Sequence, residues 1–154
     1  MSITYEALGR HKEALQLKRD VYSGRLKLHS KEHMNALEAA FNLAMALAGQ
    51  KRLAEARALL SETTPAARRV FGESHELTLK MRWNYATLLY IDRRATLDDL
   101  HKAVTTLEEM KRTARRVFGG QHPTTTGIEG DLRNARAALR ARETPSPPPP
   151  PPES

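Results

Sequence analysis

The chain has 154 residues, with 25 Lys plus Arg against 18 Asp plus Glu and a formal charge of +7. Length alone suggests one domain, and the absence of cysteine excludes a disulfide framework and a thiolate zinc site. Met1 to Lys12 hold no apolar run of signal-peptide length. No segment approaches the ~20 apolar residues of a membrane span, which predicts a soluble, cytoplasmic chain with no membrane partner.

Apolar residues make up 40%, mostly Ala and Leu, while aromatics contribute only 5%. Ala, Leu, Arg, Lys and Glu favour helix, and the residues that favour strands are scarce. An all-α fold is expected, and Ala-rich helices suit a stack of hairpins better than one thick core.

In chain order, the first clear periodicity is Leu37, Ala40, Phe41, Ala44, Leu47 and Ala48, a three-four spacing that predicts a helix from His33 to Ala48. Gly49 is expected to stop it. Leu53, Ala56 and Leu60 open a second helix, and Pro65 predicts a kink or break near Ser61 to Pro65, with Thr64 as a new N-cap. Leu79, Trp83, Ala86 and Tyr90 mark a third. Leu100, Ala103, Val104, Leu107, Ala114, Val117 and Phe118 mark a fourth, continuous through Glu109 to Arg112. Thr96 with Asp99 has the spacing of a capping box at its start, and Gly119-Gly120 ends it.

These elements repeat. His33 is followed nine residues on by Asn42-Leu43-Ala44, and His75, 42 residues later, is followed at the same distance by Asn84-Tyr85-Ala86. Ala67-Arg68-Arg69-Val70-Phe71-Gly72 returns unchanged as Ala114 to Gly119, 47 residues on. His122-Pro123 keeps that second offset, so five extra residues fall within Ile91 to Asp99. A fixed period of this length signals stacked supersecondary units.

The pattern His33, Leu37, Asn42-Leu43-Ala44, Leu47, Glu55-Ala56, Leu59-Leu60, Gly72, His75 resembles the tetratricopeptide repeats of kinesin light chains and nephrocystin-type proteins. The resemblance covers about residues 5 to 140 and implies an α-solenoid of antiparallel helix pairs over residues 1–142, followed by a disordered proline-rich tail over 143–154. Within it, Tyr5, Gly9 and Glu13-Ala14 match the end of one helix and the start of its partner. That implies an array that starts in mid-repeat or belongs to a longer one, with an apolar face left open where a neighbour would stack. In the last unit Asp131 replaces the repeat asparagine and Arg133 the small alanine. Ile128, Leu132, Ala135 and Leu139 still form a stripe, so Thr124 to Arg142 reads as a capping helix.

No phosphate loop, nucleophile elbow or His-Glu-x-x-His run is present, so neither catalysis nor a cofactor is expected. His33, His75 and His122 hold equivalent positions on successive repeats, roughly 20 Å apart at two helix spacings each, too far to share a metal ion. Helix-start packing is the expected role. Residues Lys111 to Arg142 hold eight basic and two acidic side chains. Arg115, Arg116, Arg133, Arg136 and Arg140 form a candidate basic patch for an acidic partner, or simply a solvated cap.

The resemblance further implies a concave groove lined by the first helix of each pair, where related proteins hold extended peptides. Its lining would be Glu38, Phe41, Asn42 and Met45, then Lys80, Trp83, Asn84, Thr87 and Tyr90. An aromatic, mildly basic groove suits an apolar or aromatic anchor flanked by acids. Phe41 and Trp83 stand where kinesin light chains often carry a second asparagine, which argues against a kinesin-like cargo preference. The six prolines ending at Pro152 favour polyproline II and could dock in a polyproline-binding domain. The expected function is a non-catalytic protein-interaction scaffold; a nucleic-acid-associated helical repeat using the arginine-rich face is the alternative.

Overall fold

A computed structural model describes residues 5–28, 33–144 and 149–153. These residues form six helices and no strand: α1 (Tyr5–Leu28), α2 (Met34–Gly49), α3 (Leu53–Phe71), α4 (Glu76–Ile91), α5 (Leu97–Phe118) and α6 (Pro123–Glu143). Each helix packs on the next in the chain, and α4 also reaches α6. This is the side-by-side stack of hairpins that the repeat predicts. The core follows the predicted stripes. Leu37, Leu47, Leu60 and Met81 are buried in a cluster spanning α1 to α4, and Leu79, Leu107, Met110, Ile128 and Leu132 in one spanning α4 to α6. Helix α4 contributes to both, so it is the shared wall between two layers.

The three histidines start helices. His33, His75 and His122 have extended backbone, and each Nδ1 accepts the backbone N–H two residues on at 3.1 Å. The duplicated Val-Phe-Gly segment completes the junction. Gly72 and Gly119 have φ of +86° and +89°, a left-handed region that suits glycine, and they close α3 and α5. The preceding Phe71 and Phe118 then stack on His75 and His122, with ring centroids 4.4 and 4.6 Å apart. Phe, Gly and His at this spacing therefore form one helix-to-helix corner, used twice. His122→Ala should lower the unfolding free energy by about 1 kcal/mol, the typical worth of a side-chain N-cap. His122→Asn, which can still accept from the backbone, should recover part of it. Equal melting temperatures for all three proteins would remove the cap from the account.

Three expectations about helix ends are corrected. Gly49 does not stop α2; the helix runs through it, and the turn is made by Gln50 as C-cap and Lys51 at φ +61°. Gly9 does not divide a helix from its partner, since α1 runs unbroken from Tyr5 to Leu28. An interior glycine costs only about 1 kcal/mol relative to alanine, which neighbouring packing can override. Nor does Pro65 break α3. Thr64 lies inside the helix rather than capping one, while Ala56 and Leu60 before the proline and Ala67 after it are all fully buried against α2 and α4. Core contacts on both sides hold the two halves in one helix, and the proline ring itself lies on the exposed side.

The remaining boundaries agree. Thr96 accepts from the Asp99 backbone N–H and the Asp99 carboxylate accepts from the Thr96 backbone N–H, both at 3.1 Å, which completes the capping box. Of the five extra residues, two lengthen the connection before α5 (92–96 against 50–52) and three lengthen α5 itself, which has 22 residues against 19 in α3. On α1, Leu17 and Val21 are exposed. Of the predicted tail over 143–154, Glu143 instead ends α6, residues 149–153 are exposed in neither helix nor strand, and 145–148 lie outside the described residues.

Candidate functional site

The helices that begin at the three histidines, α2, α4 and α6, carry all nine residues of the predicted groove on α2 and α4. A cavity of about 320 Å³ opens between the first halves of these two helices, lined by Glu38, Phe41 and Asn42 on one side and His75, Leu77 and Lys80 on the other. Four of the nine predicted residues therefore converge on one hollow. Glu38, Asn42 and Lys80 are exposed, while Phe41 is half-buried with its inner edge on the core. Lys80 Nζ lies 3.0 Å from Glu76 Oε1, one turn back on the same helix. Both side chains are more than half exposed, so this pair contributes little to stability and leaves the ammonium free to exchange partners.

The other five are engaged within the fold. Met45 packs on the first core cluster. Asn84 and Thr87 hydrogen-bond back to their own helix, to the carbonyls of Lys80 and Trp83. Trp83 and Tyr90 reach across to α6. The Trp83 indole Nε1–H donates to Asp131 Oδ2 and the Tyr90 hydroxyl to Asp131 Oδ1, each at 2.5 Å. Burial first, then the Asp131 carboxylate, push the Tyr90 phenol well above its ordinary range.

One carboxylate thus joins two aromatic donors from the preceding repeat. Asp131 holds the position of Asn42 and Asn84, nine residues after the helix-starting histidine, so the departure from the repeat pattern was the visible signal of this role. A carboxylate supplies acceptors on both oxygens, where an amide supplies only one. A second departure belongs to the same cluster. Gly127, five residues after His122, stands where the earlier units have Glu38 and Lys80, and a Cβ there would sit 2.6 and 2.8 Å from Trp83 Cη2 and Cζ2. Gly127→Ala should therefore destabilise by about 1 kcal/mol net: overpacking costs about 1–3, offset by the ~0.5–1 that alanine gains in a helix. Chemical denaturation followed through Trp83, the single tryptophan, would read it. A stabilised variant would mean that the indole moves aside freely.

Arg116 stands apart from the rest of the predicted basic patch, whereas Arg115 and Arg133 both act on Glu129. Arg115 pairs with Glu129 at 2.7 Å and Arg136 with Glu108 at 3.1 Å. Arg116 points instead into a cleft beside α3, because adjacent helical residues face different ways. Arg133 and Arg140 are exposed on α6. Among the described residues, no three His, Cys, Asp or Glu side chains converge as a metal site would require. No helix there is long and apolar enough to cross a membrane.

Residues 1–68 match the family model for the tetratricopeptide repeat. Over that stretch the chain is similar to the tetratricopeptide repeat. The whole stack is similar to the crystal structure of Podosopora anserina "putative kinesin light chain nearly identical TPR-like repeats" and to a variant of it. The TM-scores are 0.70 and 0.69 at 22% and 23% identity, over 90% of this chain and 64% and 63% of theirs. It is also similar to BtubC (BKLC) from P. vanneervenii, with a TM-score of 0.51 at 15% identity, over 97% of this chain and 65% of that one. At such identities the likeness concerns the fold. This chain spans less than two thirds of the length of each of these structures. No curated protein matches the sequence.

Proposed function

We propose that the array is a non-catalytic scaffold that holds an extended segment of a partner protein on the face formed by α2, α4 and α6. One observation carries this reading: the hollow between α2 and α4, where exposed Glu38, Asn42 and Lys80 surround the half-buried ring of Phe41. An apolar patch ringed by a few oriented polar groups is the usual make-up of a recognition site. The Asn42 amide offers both a donor and an acceptor to a peptide backbone. Phe41 and Leu77 offer contact area for an apolar side chain, and Lys80 attracts a nearby acid. Trp83 and Tyr90, tied to Asp131, serve as a rigid wall rather than as mobile anchors. The proline-rich end, residues 143–154, is a second attachment point for a polyproline-binding domain, and the cytoplasm is the proposed location.

Peptides selected from a displayed library against the intact chain provide the test. An Asn42→Ala, Lys80→Ala double variant alters exposed positions, so it should fold normally and bind the selected peptides roughly tenfold more weakly, the loss expected for a hydrogen bond to a charged group. Unchanged affinity would place the binding surface elsewhere.

A further inference from the structure

A second concavity, distinct from the face proposed above, lies between α3 and α5. Its largest part, about 420 Å³, is lined by Arg68 of α3, Arg82 of α4, and Arg112 and Arg116 of α5, with Glu73 and Glu109 as its acidic members. A smaller hollow of about 230 Å³ shares Arg68, Arg82 and Glu109 and extends the trough to Thr64. Arg68 is the first arginine in one copy of the duplicated block and Arg116 the second arginine in the other, so they converge from non-equivalent repeat positions.

The arrangement works against stability. Arg82 is only 6% exposed, at a position seven residues after the helix-starting histidine that holds Ala40 in the preceding unit. A guanidinium has five N–H donors, yet a single bond from Nη2 to Glu109 Oε2, at 3.0 Å, is the one it makes among the described residues. Burying a cation this way is costly unless its field is satisfied. Arg68 pairs with Glu73. The Glu73 carboxyl is held below its ordinary range by Arg68 and, more weakly, by Arg82 and Arg116, so three guanidiniums act on one point. Arg112 and Arg116 make no hydrogen bond or ion pair among the described residues. They lie four apart on one side of α5, a like-charge spacing that destabilises a helix. Four guanidiniums against two carboxylates leave a local charge of +2. The Thr64 hydroxyl, buried at the other end of the trough, has no hydrogen-bond partner.

We infer that the trough between α3 and α5 is a binding site for a phosphate monoester, held by Arg112 and Arg116 over the buried guanidinium of Arg82. A phosphate monoester near neutral pH carries close to two negative charges and three acceptor oxygens, which matches the surplus charge and the unused planar donors. A single carboxylate would neutralise only half. The phosphate can come from a phosphorylated side chain of a partner protein or from a small phosphorylated molecule, and the test separates the two.

The full chain is titrated calorimetrically with a degenerate heptapeptide library bearing phosphoserine at its centre, with the same library bearing serine or glutamate there, and with inorganic phosphate. The expected result is saturable binding of the phosphorylated library. Arg112→Ala, Arg116→Ala should weaken it by roughly tenfold or more, one factor of ten being the least expected for losing a charge-assisted hydrogen bond. An Arg133→Ala, Arg140→Ala control removes the same charge outside the trough and should leave affinity unchanged. A phosphopeptide that binds far tighter than inorganic phosphate assigns the site to a protein partner; equal affinities assign it to a small molecule. The proposal is overturned if neither phosphorylated probe binds. It is also overturned if the serine or glutamate library binds as tightly, or if both double variants lose affinity alike.

Discussion

Asp131→Ala should lower the unfolding free energy by about 3 kcal/mol, because one substitution leaves two half-buried donors, the Trp83 indole and the Tyr90 hydroxyl, without their charged acceptor. Each such loss costs roughly 1–3 kcal/mol in a buried setting, about 2–6 for the two, and partial access of water to both rings keeps the sum in the lower half of that total. Asp131→Asn retains one carbonyl acceptor and should lose about half as much. Urea denaturation monitored by Trp83 fluorescence measures both, and the native emission should shift as the indole loses its partner. A change below ~0.5 kcal/mol, the ordinary range of a surface substitution, would mean that the aromatic pair holds its place by packing alone. The same variants bear on function. If Trp83 and Tyr90 form a rigid wall, Asp131→Ala should also weaken peptide binding on the α2–α4–α6 face, although Asp131 does not line the α2–α4 hollow.

Pro65→Ala should raise the unfolding free energy by about 2 kcal/mol. The proline sits inside α3, an unbroken helix, where it leaves the Ser61 carbonyl without its helical donor. Proline costs about 3 kcal/mol against alanine in a helix interior. The flexibility that alanine adds to the unfolded chain returns about 0.4–1 of this. Pro65 is exposed, so the change opens no cavity. For a chain of this size the shift in melting temperature is on the order of 6 °C. An unchanged or lower melting temperature would show that the helix at Ser61 to Pro65 is shaped to the ring and does not relax when it is removed. Pro65 also borders the trough that holds Thr64, so phosphate binding and stability can be compared in one variant.

The His-x₈-Asn spacing, the three-four apolar stripes and the doubled Ala-Arg-Arg-Val-Phe-Gly block were enough to establish helical hairpins in series. Each is a local pattern whose meaning depends on helical periodicity alone. The Thr96–Asp99 capping box and the Gly119 stop are equally local, and both stand where the sequence places them. The groove was legible only in part. Glu38, Phe41, Asn42 and Lys80 do share a hollow, but the repeat pattern gave no means of telling exposed lining from inter-repeat wall at Trp83 and Tyr90.

What the sequence determined by itself, then, was the repeating unit, because hydrogen bonds and side-chain spacing within one helix set it. What only the tertiary structure decided was everything that depends on a neighbour. α3 continues through Pro65 because core contacts hold both halves, Trp83 is fixed because Asp131 lies 48 positions away in the chain, and Arg68, Arg82, Arg112 and Arg116 meet because three helices pack. The physical reason is one of range. Backbone propensity acts over a turn or two, whereas desolvation and charge act through space and are settled only when the stack closes.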